Sequence, residues 1–563
     1  MDRQSPLTID RVTTHPARRA SGRCLSAVAA LFLLAYLAPG TPPATAASHR
    51  LSQGLPFSDV VPGRTQLSPD GRFAVYVHDA TVDGAQELWS VRVAGGAPVR
   101  LSGLLPVGVS VDDFQISADS QRVVYMAAQE TTGQTELYSI PIAGPEGSWI
   151  KLNDALPAGG DVSNLQISPD STSVIYLADQ AVNNILDAWT VPIDGGTPTK
   201  LRPFITLAGS TVYAFSAIPI SPDGERVAFR ANFSDLDKVE LWSARVDGTG
   251  AVTRINGTLN AGGNVTRVLF SPDSSRVVYL ADQQTDEVFE LYSVPTAGGS
   301  AVKLNGALTA GGDVELAYDI SPDSSRVIYR ADQQTDEKME LYSVPLAGGG
   351  ATKLNGTMIP NGFVFEALIS PDSSRVVYQA TQDSAAFAEI YSVPLAGGSA
   401  VKLNPALPAG ANPYALAIAP DSANVVYMAD QINFGEVELF SVPLAGGASV
   451  RVSDDLAFGG NVTAFKIAPT SGFAFYLADL VTDGVSELFR GRIAGISGAD
   501  ERVSGPLVAG GAVGGGLSWA ILPDGRQAIY NADQEVDGQS DLYLGDLCVL
   551  CDGFEGGDSG RWD

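Results

Sequence analysis

Apolar positions along this chain fall in short runs separated by turn residues, and one pattern of runs and turns returns about every fifty residues. In one unit, Asn264 to Phe270 is a first apolar run, and Ser271-Pro272-Asp273-Ser274 is a turn whose Pro and Asp fix local geometry. Arg276 to Ala281 (RVVYLA) reads as a second strand, rich in β-branched and aromatic residues. A polar loop over 282–287 leads to a third strand, Phe289 to Val294. Pro295 cannot donate to a ladder and marks that strand's end. Ala297-Gly298-Gly299 turns the chain, since Gly tolerates positive φ, and Ala301 to Asn305 is a shorter fourth strand. No 3.6-residue helical period accompanies these runs.

The anchor turn begins at Ser68, Ser117, Ser168, Ser221, Ser271, Ser321, Ser370, Ala419, Ala468 and Leu522, at intervals of 49 to 54 residues. Ten such units form a repeat array. A four-stranded antiparallel meander repeated in this way predicts an all-β chain folded as a β-propeller of about ten blades. The last unit stops after Asp541-Leu542-Tyr543-Leu544 with no fourth strand, whereas His49-Arg50-Leu51-Ser52 ahead of the first unit resembles the fourth-strand segment Val99-Arg100-Leu101-Ser102. The N-terminal segment is therefore expected to complete the last blade and close one ring. Two fused smaller propellers are the alternative, because propellers usually have four to eight blades.

The ends read differently. Arg11, Arg18, Arg19 and Arg23 precede an apolar run from Leu25 to Leu37, followed by Ala44-Thr45-Ala46. This is the pattern of a secretory signal peptide over 1–46, too short to span a bilayer. The expected domains are thus 1–46 as leader, 47–546 as repeat array and 547–563 as tail. An exported chain that ends in the periplasm or outside the cell is expected, with no membrane span after cleavage and acting as a monomer. Loss of the leader removes Cys24 and leaves Cys548 and Cys551, which in an oxidising compartment are expected to form a local disulfide.

Composition narrows function mainly by exclusion. Sixty-three acids against 35 bases give a net charge of −28, which repels phosphate backbones and argues against nucleic-acid partners. Three histidines in all leave little for imidazole catalysis, and no G-x-S-x-G elbow, phosphate loop or dinucleotide fingerprint occurs. The chain is therefore expected to be a non-enzyme more readily than an enzyme, although paired carboxylates for glycoside cleavage stay open.

At this point the S-P-D-S-x-R-[VI]-x-Y anchor, with E-L-Y-S-V-P and A-G-G, resembles the TolB/tricorn-type, WD-repeat-like propeller repeats of exported bacterial proteins. The resemblance implies the propeller fold over nearly all of residues 49–546. It also implies a scaffold or binding module, or a filter attached to a peptidase domain. Repeats fill this chain, so no peptidase domain has room. Residues 552–563 resemble a short D-G-F-E-x-G-D-x-S-x-W ending of exported bacterial proteins, with Gly560 and Arg561 altering the spacing.

In an antiparallel blade the loop between strands two and three shares a face with the connection between blades, and these longer loops are where binding residues are expected. That face is acidic. Asp282 and Asp286 lead to Glu290 at spacings of four, and Asp332 and Asp336 to Glu340. Asp79 and Asp83, Asp479 and Asp483, and Asp533 and Asp537 follow the same spacing, toward Glu87, Glu487 and Asp541. These ten aspartates are the candidate binding residues. They suit either Ca²⁺, a hard cation preferring oxygen ligands, or hairpin capping by the first acid with the others in water. Asp273 and Arg276 are expected to pair across their turn, and Tyr279, Tyr329, Tyr378 and Tyr427 to be core. The functional expectation is an exported binding or scaffold propeller with a protein or glycan ligand. The alternatives are a carbohydrate-active or other hydrolytic enzyme using loop-face carboxylates, and a TolB-like envelope component with a protein partner.

Overall fold

The computed structural model describes residues 47–55, 60–79, 84–202, 208–213, 218–384, 387–456, 459–495, 500–515 and 518–546. The leader, Asp83, Cys548, Cys551 and the tail lie outside the described residues. Among the described residues there is no helix, and the strands form ten separate four-stranded sheets. Blades 1 to 9 begin at Val60, Val111, Val162, Val212, Val265, Val314, Val364, Pro413 and Val462. Each runs first to fourth strand in chain order, as in blade 5: Val265–Phe270, Arg276–Thr285, Val288–Pro295, Val302–Lys303.

Blade 10 is built from both ends of the chain. Trp519–Ile521, Ala528–Ala532 and Asp541–Asp546 supply three strands, and Ala47–Arg50 supplies the fourth, paired from Ala47↔Asp546 to Arg50↔Tyr543. Leu51 N–H donates to Leu542 O at 2.7 Å, Ser52 Oγ to Asp541 at 2.7 Å, and Arg50 meets Asp541 at 2.8 Å.

The second strand of each blade is buried on both faces, which is why it reads as an unbroken apolar run. In blade 5, Val277, Tyr279 and Ala281 pack with Ala228 and Leu241 of blade 4. Val278 and Leu280 point the other way, onto Tyr318 and Tyr329 of blade 6. Such a cluster fills every junction, ending with Tyr76 and Val91 of blade 1 against Ile529 and Leu542 of blade 10. Ten junctions joining ten blades make one closed ring, so the two-propeller alternative is excluded. Across the blade, Tyr279 stacks on Tyr292 with centroids 5.3 Å apart, and Tyr329 on Tyr342 at 5.4 Å. The tyrosines expected in the core are there. First strands of neighbouring blades touch and are tied by side chains such as Gln66 to Phe114 O and Gln115 to Leu165 O, both 3.1 Å, so the first strands line the axis.

The anchor turn is a second inter-blade device. Ser271 Oγ donates to Asp273 and accepts from Arg276 N–H, and Asp273 also holds Ser275 N–H at 3.0 Å. The expected Asp273–Arg276 pair does not form. Asp273 is occupied within the turn, and Arg276 Nε turns to Ser293 Oγ on the third strand at 2.6 Å. The fourth turn residue reaches the preceding blade: Asp273 N–H donates to Ser324 Oγ at 2.9 Å, as Asp223 does to Ser274 and Asp372 to Ser422. Ser324 sits at φ 58°, a left-handed conformation that costs a non-glycine residue about 1 kcal/mol. Gly71 takes this place in blade 1, where an added Cβ would lie 2.7 Å from Pro523.

Two predictions follow from this architecture. Ser324→Ala keeps the strained turn and loses the bond, so it should destabilise by about 1 kcal/mol. Ser324→Gly loses the bond but relieves the strain and should stay near wild type; a Ser324→Ala midpoint equal to that of wild type in thermal unfolding would remove the relay from the account. The second concerns His78, which stands where the other nine blades carry Ala and pairs across strands with Glu87. It is fully buried against the Tyr76 ring, near Arg50 and Asp79, and burial pushes its pKa down to about 4. The native state therefore holds a neutral imidazole while the unfolded chain takes a proton below about pH 6.5. Stability should be complete above that pH and fall by up to ~1.4 kcal/mol per unit toward pH 4. Unfolding midpoints of His78→Ala should fall less over that window than those of wild type.

Candidate functional site

The repeated acids occupy the expected face, but each is drawn into the blade differently. The first acid staples the hairpin loop to the start of the first strand. Asp332 accepts from Asp313 N–H at 2.6 Å and from Glu337 N–H at 2.9 Å. Asp282, Asp479 and Asp533 make the same two kinds of bond, to Asn264 and Glu287, Asn461 and Gly484, and Ala512 and Gly538. Asp79 bonds Gly84 N–H at 2.8 Å. The last acid of the series was expected to face water and does not. Glu340 is buried, 2.6 Å from Lys353 of the fourth strand, and accepts from Tyr342 Oη at 3.0 Å. Glu487–Arg502 and Glu87–Arg100 repeat the pair at 2.8 and 3.1 Å. Among the described acids of the series, only Asp286, Asp336, Asp483 and Asp537 are exposed, one per blade. Among the described residues no three His, Cys, Asp or Glu come together as a metal-holding group.

The place where the repeat is broken is more informative. In most blades a polar residue precedes the first strand and holds the neighbouring blade: Phe289 N–H donates to Asp313 at 2.7 Å, Val437 N–H to Asn461 at 2.9 Å and Leu186 N–H to Thr211 at 3.1 Å, whereas Ala512 of blade 10 has no side chain to do so. In blade 7 this residue is Phe363, whose side chain cannot accept, and Thr381 stands in place of the first acid, accepting from Phe363 N–H at 3.0 Å. Phe363 and Phe365 are each 40% exposed with rings 4.1 Å apart, and Tyr414 of blade 8 is 52% exposed. With Asn361, Gln379 and Asn412 they line a groove of about 710 Å³. Phe434, on the adjoining loop of blade 8, is 66% exposed. A cluster of exposed aromatic rings on the loop face marks a candidate binding surface.

Phe365 also borders a second cavity, of about 380 Å³, on the axial wall of blades 5 to 7. Arg267, Asp319, Arg330 and Glu366 line it. Arg267 lies 4.9 Å over the Tyr318 ring, and Arg330 donates to Val364 O at 3.0 Å and pairs with Glu315. Crowding by the pocket wall strips water from Asp319 and Glu366 and raises both carboxyl pKa values, against the lowering pull of Arg267 and Arg330 respectively. Of the groove and axial residues, the sequence pattern marks only Thr381, which replaces the first acid of its unit as Ala128 and Asn232 do in theirs. Aligning the ten units on one another would have exposed Phe363, the one aromatic residue in a mostly polar column.

No protein-family model matches the chain, and no curated protein matches it. Solved structures similar to it include a dipeptidyl peptidase 4 of Porphyromonas gingivalis, at 11% identity over 74% of this chain with a TM-score of 0.46. The chain spans 65% of that peptidase. A protein assigned as TolB from Agrobacterium tumefaciens is 22% identical over 43% of this chain and 80% of its own, with a TM-score of 0.27. An oligogalacturonate lyase of Vibrio parahaemolyticus is 13% identical over 69% and 98%, with a TM-score of 0.33. At these values the likenesses carry no argument about function.

With the first and last acids committed to blade structure, excess Ca²⁺ in place of EDTA should leave the thermal midpoint unchanged. A rise that Mg²⁺ does not reproduce would return the exposed aspartates to a cation site; a ligand at ~100 times its Kd stabilises by about 2.7 kcal/mol.

Proposed function

We propose that this protein is an exported bacterial binding propeller, its ligand held on the loop face at blades 7 and 8. The observation that carries this is the exposed aromatic groove of Phe363, Phe365 and Tyr414, opened where Phe363 stands in place of the polar residue that ties most blades to their neighbours. Export, to the periplasm or beyond, rests on the leader-like pattern of residues 1–46 and on the two remaining cysteines. A TolB-like envelope role with a protein partner uses the same groove.

A second reading is hydrolytic. Asp319 and Glu366 flank one axial pocket beside Phe365, and raised carboxyl pKa values suit a general acid. Glu366→Gln separates the readings, since turnover would vanish while binding in the groove would persist.

Phe363→Ala and Tyr414→Ala should each weaken ligand retention on glycan and peptide arrays by about tenfold, with thermal midpoints close to wild type. Arg72→Ala, on the opposite face, should leave retention unchanged. Retention that ignores the groove variants would overturn the reading.

A further inference from the structure

The groove's chemistry narrows its ligand. In a chain of net charge −28, none of the groove-lining residues carries a carboxylate, ammonium, guanidinium or imidazole. A charged ligand would meet no counter-charge among the lining residues, and an anionic one would meet the field of the whole molecule. Apolar contact comes from Phe363, Phe365 and Tyr414, whose ring faces attract weakly polarised C–H groups. Hydrogen-bonding capacity is present and unused. The Asn361 side-chain amide has no partner among the described residues, and Gln379 spends one N–H on Pro413 O at 2.7 Å, leaving its Oε1 open. Asn361 is held at φ 62°, in the left-handed region, at the groove's edge. Flat rings interleaved with spare amide donors and acceptors, and no charge, complement a molecule with C–H faces and hydroxyl edges.

We infer that the blade 7–8 groove binds a neutral oligosaccharide, its sugar rings stacked on Phe365 and Tyr414 and its hydroxyls bonded to the Asn361 and Gln379 amides. This rests on reading the groove as the binding site. Phe365 and Tyr414 supply contact area, and the amides supply orientation, as in most small-ligand sites.

The test is isothermal titration of the purified protein with neutral gluco-, xylo-, manno- and N-acetylglucosamine oligomers, an oligouronate, and a Phe/Tyr-rich peptide. At least one neutral oligosaccharide is expected to bind. Phe365→Ala and Tyr414→Ala should weaken it tenfold or more, Asn361→Gly threefold or more, and Tyr414→Phe less than threefold, with thermal midpoints preserved. The oligouronate should bind at least tenfold more weakly. A peptide that binds in a Phe365- and Tyr414-dependent way while no sugar does would overturn the ligand class and keep the groove. Tighter binding of the oligouronate would do the same. No binding of any probe, or binding indifferent to both aromatic variants, would overturn the groove reading together with the inference.

Discussion

Each blade of this ring depends on burying its second strand from both sides. Tyr279 and Val277 face one neighbour while Val278 and Leu280 face the other, so no blade has a solvent face for its central strands. Fully burying one such apolar side chain stabilises by about 1.5–3 kcal/mol, and each junction collects about ten or more of them. A blade missing one neighbour would expose all of that at once. Closure is therefore a condition of the fold, and the pairing of Ala47–Arg50 with Asp541–Asp546 meets it.

The polar residues of the repeat serve the same end. Ser324 ties one turn to the next, Asp332 pins a hairpin to a first strand, and Glu340 with Lys353 fastens the outer strand. Buried polar groups are stable only when bonded, and here the bonding is nearly uniform from blade to blade. Phe363 cannot make the inter-blade bond that Asp313 makes one blade earlier, and the groove opens at that point.

Much of the fold was legible in the sequence because turn chemistry and strand pattern recur in step. Ser-Pro-Asp, Ala-Gly-Gly and the RVVYLA-type strand each have one local meaning, and ten repetitions remove the ambiguity of any one. The resemblance of His49–Ser52 to a fourth strand was enough to anticipate the closing pair. The site was much less legible. Acids spaced by four looked like one ligand set, yet the hairpin sends Asp282 inward to backbone amides, Asp286 to solvent and Glu290 across the sheet to Lys303. The first strand was read as a plain apolar run, although Arg267, Asp319 and Glu366 lie within it and reach the axial pocket. Sequence alone does not say which residues of an innermost strand face the axis, because its bulges shift the alternation, as between Val314 and Tyr318.

The two-ended construction of blade 10 has a consequence for the order of events during synthesis. Blades 1 to 9 each use a contiguous stretch of chain and can form as they emerge, beginning at the N-terminus. Blade 10 joins Ser52 to Asp541, residues 489 positions apart, so it must wait for the last strand. Bringing such distant segments together costs about 5.5 kcal/mol of chain entropy if the intervening chain is unfolded. An arc of nine assembled blades has already met most of that cost by holding its two ends near each other. Until the final strand arrives, the arc carries two uncovered apolar faces: that of blade 1, with Tyr76 and Val91, on one side and that of blade 9, with Phe475 and Leu477, on the other. Newly made chains at this stage are the form most exposed to sticking to one another.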